Sequence, residues 1–223
     1  TAFNAGDYSA AEERYRDALV AFPGYFRALA SLGRVLAARG DFPDAIVQYN
    51  AAIEVLPDPT YVAALGDIYA LSGQKQKAAA QYALVEVIGH LSHIAGILYN
   101  RPLALFYADH DMKPQKAHAH AKGEYALRKD IYGADAVAWT ALKDGKTAEA
   151  QRYIAEAMRL GTRDPRLFYH AGMIARAAGD RPGARAYLLR ALGLSPVFDP
   201  LQAIKARDAL KDLSVNPIAY DRR

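Results

Sequence analysis

Apolar and small residues recur along this chain as a triplet at positions i, i+4 and i+7. The triplets open on Ala11, Ala45, Ala78, Ala117, Ala150 and Ala184, spaced 34, 33, 39, 33 and 34 residues apart. They continue through Tyr15, Tyr49, Tyr82, Ala121, Ile154 and Leu188, and close on Ala18, Ala52, Val85, Glu124, Ala157 and Ala191. Such a series is one stripe of an α-helix, and its small members let a second helix approach closely. Recurrence near 34 residues predicts one helix-turn-helix unit stacked many times, not a single closed core. Glu124 interrupts its stripe and marks the fourth unit as irregular. No stretch alternates apolar and polar residues for long enough to predict a strand.

Turn chemistry punctuates the same period. Gly40-Asp41, Gly73, Gly145 and Gly179-Asp180 stand where a left-handed helix end is followed by a new helix start. Pro43 and Pro182 suit a first helical turn, and Pro23, Pro57 and Pro196 suit unit ends. The paired helices are therefore expected near 25–39 with 43–56, 60–72 with 75–89, 101–110 with 114–129, 132–143 with 147–160, and 165–178 with 182–194. A solitary helix at 201–213 is expected to cap the stack, turning Lys205, Arg207, Asp208, Lys211 and Asp212 outward. Residues 214–223 read as a tail.

Three runs carry a family resemblance. They are Gly6-Asp7-Tyr8 with Ala11, Tyr15, Ala18-Leu19 and Pro23; Ser31-Leu32-Gly33 through Gly40-Asp41-Phe42-Pro43-Asp44-Ala45, Tyr49, Ala52-Ile53 and Pro57; and Ala171-Gly172-Met173-Ile174 through Gly179-Asp180, Ala184, Leu188, Ala191-Leu192 and Pro196. Each resembles the tetratricopeptide repeat, and Trp139, Gly145, Ala150 and Ala157 carry a weaker copy. The resemblance implies an all-α, right-handed superhelical solenoid of about six repeats with a C-terminal capping helix. The repeats would be a partial one at 1–24, then 25–58, 59–92, 98–130, 131–164 and 165–198.

In that family the first helices of successive units line a concave face that holds extended peptides. The resemblance then implies a groove formed by Arg27, Arg34, Asp67, Tyr132, Asp135, Trp139, Tyr169, Met173 and Arg176. Trp139 has a second reading, as a core side chain between adjacent helices. Arg34, set in an open groove, is expected to matter little for folding. One branch of the family clamps chaperone-tail carboxylates with Lys, Arg and Asn on these helices. Here Ala30, Ser31, Ala63 and Ala64 take much of that place, which argues against such a clamp. The implied function is a non-catalytic scaffold for a peptide or partner protein, the alternative being homo-oligomers formed through the array's ends or groove.

Charge and chemistry add little to this. Residues 1–112 carry 8 Lys/Arg against 12 Asp/Glu, and residues 113–223 carry 20 against 12, so a net −4 half precedes a net +8 half. The split can orient an elongated partner or simply reflect solvated Arg-rich faces. The basic residues are spread over many helices, so nucleic acid is not expected. No apolar run is long enough to span a bilayer, Ile94–Tyr99 included. Cysteine is absent, which removes thiolate chemistry and leaves either a reducing or an oxidising compartment open. The start at Thr1 suggests a truncated or processed chain, with apolar surface around Tyr15 left for missing sequence to cover.

The 39-residue interval predicts a lengthened second helix and a longer connection, with Ile88, Leu91, Ile94, Ile97 and Leu98 packed inside. Gly96 and Pro102 would alternatively bend the array there. Histidine offers the one hint of metal chemistry, in Asp109-His110-Asp111 with His118 and His120, and in His90 with His93. His118 and His120 stand about 200° apart on a helix, so they cannot share an ion, and neither metal nor cofactor is expected. No nucleophile elbow, phosphate loop or dinucleotide fingerprint is present.

Overall fold

A computed structural model describes residues 1–96 and 100–214. Within them the chain forms a short 3-10 turn at Phe3–Ala5 and twelve α-helices, without a strand. The helices are α1 (Tyr8–Ala21), α2 (Phe26–Ala38), α3 (Phe42–Val55), α4 (Pro59–Leu71), α5 (Lys75–Ile94), α6 (Asn100–Asp109), α7 (Pro114–Leu127), α8 (Ile131–Lys143), α9 (Thr147–Met158), α10 (Pro165–Ala177), α11 (Arg181–Leu194) and α12 (Pro200–Ser214). The strongest packing is within the pairs α2–α3, α4–α5, α8–α9 and α10–α11, as a stacked helix-turn-helix array requires.

The turns follow from their residues. Gly40, Gly73, Gly145 and Gly179 end helices at φ of 84°, 79°, 75° and 83°, a left-handed conformation that strains any side chain. Asp41 and Asp180 then cap the next helices by accepting the N–H groups of Asp44 and Gly183, and Asp130, after the extended Arg128, caps α8 through the Gly133 N–H.

Three pairs, α2–α3, α4–α5 and α10–α11, close where a glycine on the first helix meets a large side chain sixteen residues later, while in α8–α9 Ala138 and Ile154 take those places. A Cβ on Gly33 would stand 2.9 Å from the Tyr49 ring, on Gly66 2.6 Å from Tyr82, and on Gly172 2.7 Å from Leu188 Cγ. Only a bare backbone lets these side chains cross the first helix. The fourth unit departs from this, in keeping with the interrupted stripe. There Glu124 accepts the backbone N–H of Arg101 and pairs with its guanidinium, locking the start of α6 onto α7.

The long interval is partly taken up by α5, which runs to Ile94. Ile88 packs inward, but Leu91 and Ile94 are 58% and 69% exposed, because this extension outruns the neighbouring helices. Ile97 and Leu98 lie outside the described residues, as do 215–223 of the expected tail. Pro102 bends no helix; it sits in the first turn of α6.

The two ends meet, which the repeat pattern does not announce. Tyr8 shares a 2.9 Å hydrogen bond with the Ser195 hydroxyl and accepts the Val197 N–H at 2.8 Å. Asn4 donates to Asp164 at 3.3 Å, and Arg34 donates to the Phe198 carbonyl at 2.9 Å. Phe3 is buried beneath the Arg34 guanidinium, 4.0 Å from the ring centroid, and Ala11 is buried with it. So the front of α1 is covered by the chain itself, while Val20 and Phe22 at its far end stay exposed.

The last helix also departs from expectation. It packs on α10 and α11 but reaches across to α4 on the inner side of the superhelix. Ala203, Ala206 and Ala209 give it a slim buried face, in one cluster with Trp139, Tyr169 and Phe198. Lys205 is turned inward, its ammonium donating to the Asp109 carbonyl at 2.8 Å.

Candidate functional site

The inner side of the array holds a chamber of about 490 Å³, walled by α2, α4, α6, α8 and α10 and bordered by Asn4 and the Asp199-Pro200 corner. The first turns of α4, α6, α8, α10 and α12 all border it, through Pro59, Pro102, Tyr132, Pro165 and Pro200. Pro59, Pro165 and Pro200 stand at first helical positions, where the missing N–H removes a donor that would otherwise need a partner. Ala30, Ala63 and Ala64 hold the walls back and open the space.

The lining is densely charged for an interior. Two guanidinium groups in it make no hydrogen bond to a carboxylate among the described residues. Arg34 has only the Phe198 carbonyl and the Phe3 ring, and burial followed by the nearby Arg166 pulls its pKa down. Arg166 comes no nearer to a carboxylate than 3.7 Å, at Asp199. Burial alone would lower Arg166, but Asp109, Asp199, Asp164 and Asp135 around it outweigh this and hold it above the ordinary arginine value. Arg101, by contrast, is committed to Glu124 and Asp130.

Three of the five carboxylates, Asp67, Asp109 and Asp135, hold their hydrogen bonds through Oδ1 alone, whereas Asp164 Oδ2 also accepts from Asn4 and Asp199 Oδ2 faces Arg166. Asp164 and Asp199 cap α10 and α12 through Oδ1. Asp109 accepts the Trp139 indole N–H at 2.8 Å, and burial raises its carboxyl pKa. Asp135 meets His170 Nδ1 at 2.8 Å. Asp67 accepts the Tyr82 hydroxyl and faces His110 Nε2 at 2.7 Å. Burial pulls the His110 pKa down, but the bonds to Asp67 and to the Phe106 carbonyl outweigh it and raise the imidazole above its usual value.

Of the groove residues expected from sequence, Arg34, Asp67, Tyr132 and Asp135 line the chamber together. Trp139 and Tyr169 do not. Both are fully buried, because the alanine face of α12 lies over the inner side of α8 and α10. The core reading of Trp139 is the one the structure shows: its ring stacks on His170 at 4.3 Å, with Lys143 over it at 4.6 Å. Met173 packs at the edge of the same cluster, and Arg176 is spent on an exposed ion pair with Asp212 at 2.8 Å. Arg27 is exposed and lies over the Phe26 ring at 5.7 Å.

Several chamber residues escape the sequence reading. Arg166 stands 34 residues after Tyr132, so the repeat register itself points to it. Tyr49 belongs to the core stripe, and only the gap at Gly33 lets it reach the inner face. Asp109 and His110 read as metal chemistry instead. In the structure Asp111 pairs with Lys143 and Lys205, His118 is buried against Thr140 and Glu149, and His90 and His93 are exposed. Among the described residues no three such side chains converge as a metal site. Nor is any described helix long and apolar enough to cross a membrane.

Antiparallel helix pairs stacked in tandem define an α-solenoid of the repeat-protein class. The tetratricopeptide repeat pattern matches residues 1–58, 38–89 and 136–197, and the chain belongs to that family. No curated protein matches it in sequence. Among solved structures, a tetratricopeptide repeat protein from Parabacteroides merdae aligns with 95% of this chain and 89% of its own, at 16% identity and a TM-score of 0.47. The APC/C hetero-tetramer Cut9-Hcn1 aligns over 93% of this chain and 40% of its own, at 16% identity and a TM-score of 0.52. The TPR2AB domain of yeast Sti1, in a complex with pHSP90, aligns over 96% and 95%, at 16% identity and 0.41. These likenesses concern the fold alone. The family as a whole serves as protein-protein interaction scaffolds.

Proposed function

We propose that this chain is a non-catalytic scaffold that holds a segment of a partner protein at the mouth of its inner chamber. The observation that carries this reading is a track of aromatic rings leading inward. Phe22, 63% exposed, neighbours Tyr25 at 6.4 Å; Tyr25 neighbours Phe26 at 6.2 Å; and Phe26 neighbours Tyr61, a chamber residue, at 6.4 Å. Arg27 lies over the Phe26 ring beside it. Aromatic and arginine side chains carry much of the binding energy in protein interfaces, since large rigid faces lose little entropy when covered. Tyr132, 45% exposed, offers a second aromatic contact on the chamber wall.

Selection of displayed peptides on the immobilised protein tests this reading. A recurring peptide motif is expected, with affinity falling about tenfold, roughly 1.4 kcal/mol, in a Tyr25→Ala, Tyr61→Ala variant. No recurring motif, or a motif bound equally by the folded variant, would refute it. A second reading, association of copies, draws on Val87, Leu91 and Ile94, which share one exposed face of α5. Light scattering that shows a constant monomer mass up to high concentration excludes it.

A further inference from the structure

The proposed partner segment engages the track at the mouth and leaves the chamber's own charged interior unexplained. There Tyr49 lines the wall at 5% exposure, its ring lying across Gly33. Its hydroxyl has no hydrogen-bond partner among the described residues, and the charged groups that bear on it are Arg34, Asp199 and Asp67. The hydroxyl is not sealed in the core but opens onto the chamber, where an uncommitted donor is a place for a ligand atom. Burial and the nearby Arg166 both disfavour the Arg34 charge; Arg166 makes only a loose 3.7 Å ion pair with Asp199, and neither guanidinium donates a hydrogen bond to a carboxylate among the described residues. An acceptor placed among these three donors would satisfy the hydroxyl and relieve the repulsion. A carboxylate does both, and can take two guanidinium N–H bonds at once.

A simple anion is nevertheless a poor match. Asp109 and Asp135 also face the chamber, each using one oxygen on Trp139 or His170, while their Oδ2 atoms accept no hydrogen bond among the described residues. Those free acceptors call for a cationic donor in the same small space. With the chain's own ends bordering the chamber, its 490 Å³ has the size of a small-molecule site.

We propose that the chamber binds a small zwitterion of the amino-acid class, a free α-amino acid or dipeptide. Its carboxylate meets Tyr49, Arg34 and Arg166, and its ammonium meets Asp109 and Asp135. The uncommitted donors and the uncommitted acceptors are then satisfied by one ligand, which neither a plain carboxylate nor a plain amine can do.

The test is thermal unfolding of the chain against the twenty common amino acids and a dipeptide panel, followed by titration calorimetry on the best responder. Propionate and propylamine serve as single-charge controls, and Tyr49→Phe keeps the ring over Gly33 while removing the hydroxyl. A ligand at a hundredfold over its dissociation constant is expected to raise Tm by roughly 5–10 °C. Neither control should do so, and Tyr49→Phe, with its own Tm unchanged, should bind about tenfold more weakly. Arg166→Gln should remove the response. Silence across the panel overturns the proposal; so does a control that binds as well as the zwitterion, or a Tyr49→Phe variant that binds normally. The peptide selection reads Tyr25 and Tyr61 while this titration reads Tyr49 and Arg166, so either reading can fail alone.

Discussion

The same substitution, glycine to alanine, should have opposite effects at two helical sites of this chain. At Gly123, on the exposed side of α7, an added Cβ meets nothing within 4 Å, so the change brings only the gain in helix propensity, about 1 kcal/mol. At Gly172 the same methyl would stand 2.7 Å from Leu188 Cγ and 3.2 Å from the Leu188 backbone nitrogen. Leu188 is fully buried, so α10 and α11 must part. Overpacking of this kind costs about 1–3 kcal/mol, which the propensity gain only partly offsets. The gap between the two variants isolates that packing cost. At roughly 2–4 °C per kcal/mol for a chain of this size, Gly172→Ala should melt about 2–12 °C below Gly123→Ala by circular dichroism. Leu188→Ala alone should cost about 2–5 kcal/mol, and added to Gly172→Ala it should cost less than the sum, because the new methyl takes up part of the vacated space. Equal melting of the two alanine variants, or strict additivity of the pair, would refute the argument that glycine holds the helix pair together.

Three further outcomes follow from burial and charge. Trp139→Ala should cost about 3–5 kcal/mol of stability, seen as a large fall in Tm; a variant of unchanged Tm would contradict its burial under α12. Arg34→Ala, expected from sequence to be harmless, should lower Tm by about 3–12 °C through loss of the charged hydrogen bond to Phe198, about 1.5–3 kcal/mol. Burial pushes the Asp130 carboxyl up, but the Gly133 N–H and Arg101 hold it below the usual carboxylate range. Its stabilising effect is therefore complete above pH ~4 and lost as pH falls below that. Asp130→Asn should melt lower than wild type at pH 7 and close the gap at pH 3, and a gap that stays constant would count against the assignment.

How far sequence reaches here depends on whether a feature is local. Ala45, Ala52, Gly40 and Gly179 settle helix pairs and turns because each acts within its own unit. Arg34, Asp67, Tyr132 and Asp135 are likewise legible as inward-facing, since helical register alone sets their direction. What register cannot supply is what lies opposite. Trp139 and Tyr169 face inward as expected, yet the alanine face of α12 docks on that side and removes them from any open groove. Arg34 reads as an open-groove residue until the far end of the chain brings Phe198 against it. Tyr49 shows the complementary difficulty: its place in the core stripe is plain, but the reach of its hydroxyl depends on the vacancy at Gly33.

Tandem arrays ordinarily lose their outermost units first, since each terminal unit has a neighbour on one side only. Here Tyr8 holds Ser195 and Val197, and Asn4 holds Asp164, so neither extremity can peel away alone. The weakest seam then falls mid-chain, where α5 meets α6 through Gly89 and Val85 against Leu103 and through Tyr82 against Phe106. Amide protons of α1 and α11 should exchange slowly together, as though adjacent, with the fastest opening beside Leu91 and Ile94. A chain fastened in this way also fixes the spacing between its fastened units: one more 34-residue unit inserted between α1 and α11 would carry Tyr8 out of reach of Ser195.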